Sequence, residues 1–153
     1  MAHARTLVLA LAVLCAAGFP GCGGGGGPPA DPEDIIRAWS AALEKGDGVG
    51  AASYFAVPAI VQNNTPPITL KTRAEVVFFN LSLPCGGRVV STSQRGPYTD
   101  VIFELTDRTG GSCGAGTGHQ AGTAFLVRDG KIAEWRRLPD PDETPPKVVG
   151  PKA

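Results

Sequence analysis

The sequence predicts an α+β domain in which helices come first and an antiparallel sheet follows. Apolar residues recur at helical spacing only before Cys85, as in "DPEDIIRAWSAALEKGD" and "TRAEVVFFNLSL". From Gly86 on, the chain reads as four runs rich in β-branched and aromatic residues, "RVVSTSQ", "YTDVIFELTD", "GTAFLVR" and "KIAEWRRL", broken by glycine-containing turns. Helices that precede such a meander are expected to pack on one of its faces.

In chain order, Asp31 is suited to cap a first helix, Pro32 fits its first position, and Asp34 places a carboxylate near the free N–H groups. Ile35, Ile36, Trp39, Ala42 and Leu43 form one apolar stripe, and Gly46 ends the helix. A second, shorter helix is expected over Asp47 to Phe55, carrying Val49, Ala52 and Phe55 inward, with Pro58 stopping it and "AIVQ" forming a strand. Thr72 and Glu75 stand at capping-box spacing for a third helix. Its Val76, Val77, Phe78, Phe79, Leu81 and Leu83 leave little polar face, which predicts a helix wedged between other elements. Asp129-Gly130, between two strand-like runs, is a strong hairpin signal.

What precedes the domain is of another kind. Arg5 and the α-amino group lead an uncharged apolar run from Leu7 to Phe19, the order of a secretory signal. The run is shorter than the ~20 residues of a bilayer-spanning helix. The glycines and prolines after Cys22 make residues 22–30 a linker. Cleavage after Ala16-Ala17-Gly18 would export Cys22, Cys85 and Cys113, an odd number that leaves one thiol over. Cleavage before Cys22, with its sulfur lipidated, removes Cys15 with the signal at residues 1–21, blocks Cys22 and leaves Cys85 to pair with Cys113. The stretch Phe19-Pro20-Gly21-Cys22 resembles a bacterial lipoprotein signal. That resemblance implies an exported protein anchored to the outer face of the cell membrane, the alternative being plain secretion.

The folded domain is expected over residues 31–140, followed by a proline-rich, charged and disordered tail at 141–153. Fourteen basic and fourteen acidic residues balance, and no basic cluster exceeds Arg136-Arg137, so nothing marks a nucleic-acid surface. Two short motifs are discarded. Gly110-Gly111-Ser112-Cys113-Gly114 matches a nucleophile elbow but lacks the strand-to-helix turn, and "GAGTGH" lacks the Gly-Lys-Ser/Thr and following helix of a phosphate loop. With a single histidine after export and no C-x-x-C, neither a metal nor another cofactor is expected.

The order of elements, with "AWSAALEKGDGVGAASYFA" at the front and "FLVRDGKIAEWRRLPDP" at the back, resembles the SnoaL-like branch of the nuclear-transport-factor-2-like superfamily over about Pro32 to Asp140. The resemblance implies a cone-shaped half-barrel whose helices and curved sheet enclose one apolar pocket, commonly in a homodimer. Its members include isomerases, cyclases, dehydratases, epoxide hydrolases and domains that only bind. Members resembling ketosteroid isomerase carry a carboxylate base after the second helix. Here "YFAVPAIVQNNTPPITLKTRA" has no Asp, Glu or His, and an amide cannot act as that base.

Within that frame the expected ligand-binding residues are Trp39, Phe55, Phe79, Phe125, Glu134 and Arg136. Regular pairing across Asp129-Gly130 places Val127 opposite Ile132, Phe125 opposite Glu134 and Thr123 opposite Arg136. If that face lines the pocket, Glu134 and Arg136 are its polar groups; otherwise they form a solvent-facing ion pair and Trp135 turns inward. Weak catalytic candidates are His119, Asp100, Glu104 and Tyr54, with Tyr98 beside them. Three readings follow: a non-catalytic domain binding a small, largely apolar molecule; an isomerase or hydrolase, needing at least two of those candidates at the pocket floor; and an interaction module marked by an outward Trp135.

Overall fold

The computed structural model describes residues 31–139. The signal at 1–21, Cys22 with its linker and the tail at 141–153 therefore lie outside the described residues. Three helices, α1 (Pro32–Glu44), α2 (Gly48–Ser53) and α3 (Arg73–Ser82), accompany six strands. These are β1 (Phe55–Gln62), β2 (Ile68–Leu70), β3 (Gly86–Arg95), β4 (Tyr98–Thr106), β5 (Gln120–Arg128) and β6 (Lys131–Arg137). They form one unclosed sheet in the order β2-β1-β6-β5-β4-β3, antiparallel except where β1 runs parallel to β6. The α+β expectation holds.

Local chemistry sets the helix starts. The Asp31 carboxylate accepts from the Glu33 amide at 2.9 Å, with Pro32 in the first turn. The α3 capping box closes both ways: Glu75 N donates to Thr72 Oγ1 at 3.2 Å and Thr72 N to Glu75 Oε2 at 3.0 Å. Such caps stabilise by ~1 kcal/mol each. α1 lies against β3 and buries Ile35, Ile36, Trp39, Ser40 and Leu43. The Ser40 hydroxyl donates to the Gly87 carbonyl, and Thr92 Oγ1 donates to Glu33 Oε2 at 2.7 Å. At Gly86 a Cβ would come within 3.0 Å of Glu44 Cγ at the end of α1 and 2.8 Å of Thr106 Oγ1 on β4, so the absence of a side chain there permits the close approach.

Several expectations are corrected. The second helix stops at Ser53 and Phe55 opens β1, so Pro58 ends no helix. It sits inside β1 after a cis Val57–Pro58 bond, between Phe55 and Ile60, where pairing with β6 is irregular and a strand tolerates proline. Val49 is exposed, and the buried face of α2 is Gly48, Ala51 and Ala52. α3 is not wedged: Phe78 is 74 % exposed and Leu81 50 %, because only one side of this helix meets the fold. The polar Asn80 lies on its inner side, fully buried, accepting from Trp39 Nε1 at 2.8 Å and donating to the Val76 carbonyl at 2.8 Å.

Edge-to-face aromatic pairs organise the core. Trp39 lies 5.4 Å from Phe125 and 6.1 Å from Phe103, and Phe79 lies 5.3 Å from Trp135, measured between ring centroids. The expected hairpin at Asp129-Gly130 forms, Arg128 pairing with Lys131, and a second forms across Gly96-Pro97, where Arg95 pairs with Tyr98. Asp129 and Gly130 have φ of 50° and 69°, as a two-residue turn of this twist requires. The long β4–β5 loop is fastened at several points. Cys85 and Cys113 form the expected disulfide with Cα atoms 4.4 Å apart, and Asp107 Oδ1 accepts from the Cys113 amide at 2.8 Å. Among the described residues no helix is long and apolar enough to cross a membrane.

Candidate functional site

A cavity of about 280 Å³ opens between α1 and the inner face of the sheet. α1 contributes Trp39, Ser40 and Leu43; β4 contributes Phe103 and Leu105; β5 contributes Ala121 and Thr123; and β6 contributes Trp135 and Arg137. The segment Leu83 to Gly87, with the disulfide at Cys85, closes one side, and Asn63 and Asn64 from the β1–β2 loop complete it. Most of this wall is apolar or aromatic. Two of its polar groups are already engaged, the Trp39 indole with Asn80 and the Ser40 hydroxyl with Gly87. Trp135 is 5 % exposed, and its buried Nε1–H has no hydrogen-bond partner among the described residues.

The residues predicted for the site separate into three groups. Trp39 lines the cavity. Phe55, Phe79 and Phe125 are buried in the aromatic cluster behind it. Glu134 and Arg136 lie on the opposite face of the sheet, since side chains alternate and their neighbours Trp135 and Arg137 face the cavity. A bulge causes this. Val127 pairs with Ile132 as expected, but the next pair is Leu126 with Glu134, so Ala133 is an extra residue in β6. The register beyond it shifts by one: Phe125 faces Trp135 rather than Glu134, and Thr123 faces Arg137 rather than Arg136. Trp135 thus turns inward, and the outward-facing tryptophan expected of an interaction module is not found.

On the outer face Glu134 accepts from Tyr98 Oη at 2.9 Å and from Arg136 Nε at 2.7 Å, and Arg136 Nη1 reaches Gln62 Oε1 at 3.1 Å. Partial burial disfavours the Glu134 carboxylate, but the hydrogen bonds from Arg136 and Tyr98 outweigh it and hold its pKa below the usual glutamate value. The Arg136 guanidinium is correspondingly raised, first by its hydrogen bond to Glu134. The catalytic candidates do not converge. Asp100 pairs with Arg95 at 2.7 Å and Glu104 with Arg88 at 2.5 Å, both away from the core-facing side chains of β4. His119 is exposed in the β4–β5 loop, and Tyr54, at the end of α2, packs on the core with its carbonyl accepting from the Ile132 amide at 2.8 Å.

Sequence reading missed Arg137 and Phe103 as lining residues, held an inward Trp135 as one of two alternatives, and placed Thr123 on the candidate face but opposite the wrong partner. Phe103 and Thr123 carry the ordinary alternation of core strands, whereas Trp135 and Arg137 depend on a bulge with no sequence mark. Among the described residues no group of His, Cys, Asp and Glu is placed to hold a metal ion.

No family profile matches the chain, and no curated protein matches it significantly. Solved structures do match. A candidate polyketide cyclase from Sinorhizobium meliloti superposes with a TM-score of 0.54 at 16 % identity, covering 69 % of this chain and 94 % of its own. A candidate ketosteroid isomerase from Kribbella flavida gives 0.54 at 19 % identity, covering 78 % and 87 %. A hypothetical protein with a ketosteroid isomerase-like fold from Catenulispora acidiphila, in complex with trimethylamine, gives 0.51 at 14 % identity, covering 69 % and 84 %. These likenesses, together with three helices on a curved, open six-stranded sheet, give the chain the nuclear-transport-factor-2-like α+β cone fold.

Proposed function

We propose that this chain is an exported domain, held at the outer face of the cell membrane by a lipid on Cys22, that binds a small, largely apolar molecule in the cavity between α1 and the sheet without transforming it. The observation that carries the reading is the composition of the wall. Six large apolar or aromatic side chains enclose the space, and no carboxylate, imidazole, amine or phenol lines it among the described residues. A cavity of that kind favours desolvation of an apolar body and holds no group able to move a proton near neutral pH. The Catenulispora protein of the same fold, which is in complex with trimethylamine, supports small-molecule binding as a use of the architecture.

The test uses the chain's own probes. The sequence has two tryptophans, Trp39 and Trp135, and both line the cavity, so intrinsic emission reports on it directly. Titration with 3-phenylpropionate and its neutral amide should give a saturable change for at least one of them, with the compound recovered unchanged. No saturable change with either at millimolar concentration refutes the binding reading, and conversion of a bound ligand refutes its non-catalytic part.

A further inference from the structure

Resting on the lipid anchor proposed above, we infer that the outer side of α2 and α3 is a membrane-contact surface, with Phe78, Leu81 and Val49 seated in the interfacial layer of the phospholipid bilayer that holds the Cys22 lipid. Phe78 and Leu81 stand three residues apart and so share one face of α3, opposite the side that buries Val76, Phe79 and Asn80. Ala74, one turn earlier on the same face, is exposed as well. The start of α2 lies directly against this face, since a Cβ on Gly48 would come within 2.4 Å of Leu81 Cδ2. The next residue, Val49, is 68 % exposed. Three of the six large hydrophobic side chains exposed among the described residues therefore gather here, while Val57, Ile68 and Val90 stand singly on three strands. Scattered exposed hydrophobics are ordinary; a cluster marks a contact.

The tether indicates what covers it. Residues 23–30 join Cys22 to Asp31, the cap of α1. The nine Cα–Cα steps from residue 22 to residue 31 reach ~30 Å when extended. α1, with thirteen residues, is ~20 Å long, and its far end leads straight into α2. The surface thus lies within reach of a bilayer that holds Cys22. Because the tether makes insertion an intramolecular step, a few side chains are enough. They are too few for a stable interface with a second copy, which takes ~20–30 residues a side. The rim carries both signs, Arg73, Lys131 and Arg108 against Asp47 and Glu75, so apolar insertion rather than charge carries the contact. A phenylalanine and a leucine one turn apart suit a helix lying in the interface plane, ~5–10 Å deep.

The test places the lipidated full chain in phosphatidylcholine vesicles whose acyl chains carry bromine, a contact quencher of indole emission. Phe78→Trp and Leu81→Trp each put an indole on the surface. Val90→Trp puts one on exposed β3, at the far edge of the sheet from β1 and β2, on which α3 packs. The emission added by Phe78→Trp or Leu81→Trp should fall at least about twofold in brominated relative to plain vesicles, and that added by Val90→Trp should stay unchanged. Acyl mass on Cys22 with no quenching at either α3 position, or with equal quenching at Val90, overturns the inference and leaves the anchor standing. Absence of acyl mass on Cys22 overturns the anchor and the inference with it. A Cys22→Ser chain that sediments as a dimer, and as a monomer once Phe78→Ser is added, assigns the surface to a second copy and also overturns the inference.

Discussion

Replacing Asn80 by leucine, which keeps the same branching and number of side-chain heavy atoms, should destabilise the domain by an amount the structure allows to be worked out. Asn80 is fully buried, and its Oδ1 is the acceptor, at 2.8 Å, for the Trp39 indole N–H. Leucine leaves that donor without a partner in the core, which costs ~1–3 kcal/mol, and the lost bond to the Val76 carbonyl adds about 0.5–1 kcal/mol. The expected sum is roughly 1.5–4 kcal/mol, a large share of the ~5–15 kcal/mol that holds a small domain together. The melting temperature should fall by on the order of 10 °C. Urea unfolding of Asn80→Leu, alone and combined with Trp39→Phe, isolates the cause. With the indole donor gone, the cost of Asn80→Leu should drop below about 1 kcal/mol, because replacing both partners of a buried pair is nearly neutral. An equal cost in both backgrounds, or a cost under about 0.5 kcal/mol in the wild type, would refute the reasoning.

Other consequences are open to direct measurement. Removing the disulfide with Cys85→Ser and Cys113→Ser opens a loop closed over a sequence separation of 28 and should cost roughly 3–4 kcal/mol in the chain-entropy model; equal unfolding midpoints with and without reductant would contradict this. Glu134 has a depressed pKa when folded, so the unfolded chain binds its proton first, and the stabilisation it gives is complete above the ordinary glutamate pKa and lost as the pH falls through the folded value. Glu134→Gln should therefore flatten the decline of melting temperature with acidification below about pH 4.5, and an unchanged slope would be evidence against the network with Arg136 and Tyr98. Cys22→Ser should release the protein from the membrane fraction, and full retention with no acyl mass on the wild type would end the lipid-anchor proposal.

Much of the fold is legible in the sequence because its determinants are local. Asp31-Pro32, the Thr72–Glu75 box and Asp129-Gly130 each act within a few residues and place their elements where they are found. The cysteine pairing is legible for a different reason, since on the reading that Cys15 is removed with a signal and Cys22 is lipidated, counting thiols leaves Cys85 and Cys113 as partners, and these two do form the bond. What escapes is long-range or depends on parity. β2 is three residues on the sheet edge, too short to alternate, and β1 joins β6 in parallel across most of the chain. The exposure of Phe78 and Leu81 escapes as well, because an apolar composition does not say which neighbours are absent. The site was half legible: Trp39 follows from the α1 stripe, but one extra residue, Ala133, exchanges Glu134 and Arg136 for Trp135 and Arg137 on the inner face.

The two tryptophans allow the sharpest check on the cavity as a binding site. In a proton–nitrogen correlation spectrum of the labelled protein, two indole signals are expected, Trp39 bonded to Asn80 and Trp135 without a described partner. Addition of 3-phenylpropionate should move both along one saturable curve, together with the amides of Thr123 and Arg137. Indole signals that stay fixed while shifts gather elsewhere, for instance around the exposed Phe78 and Leu81 of α3, would contradict binding in the cavity.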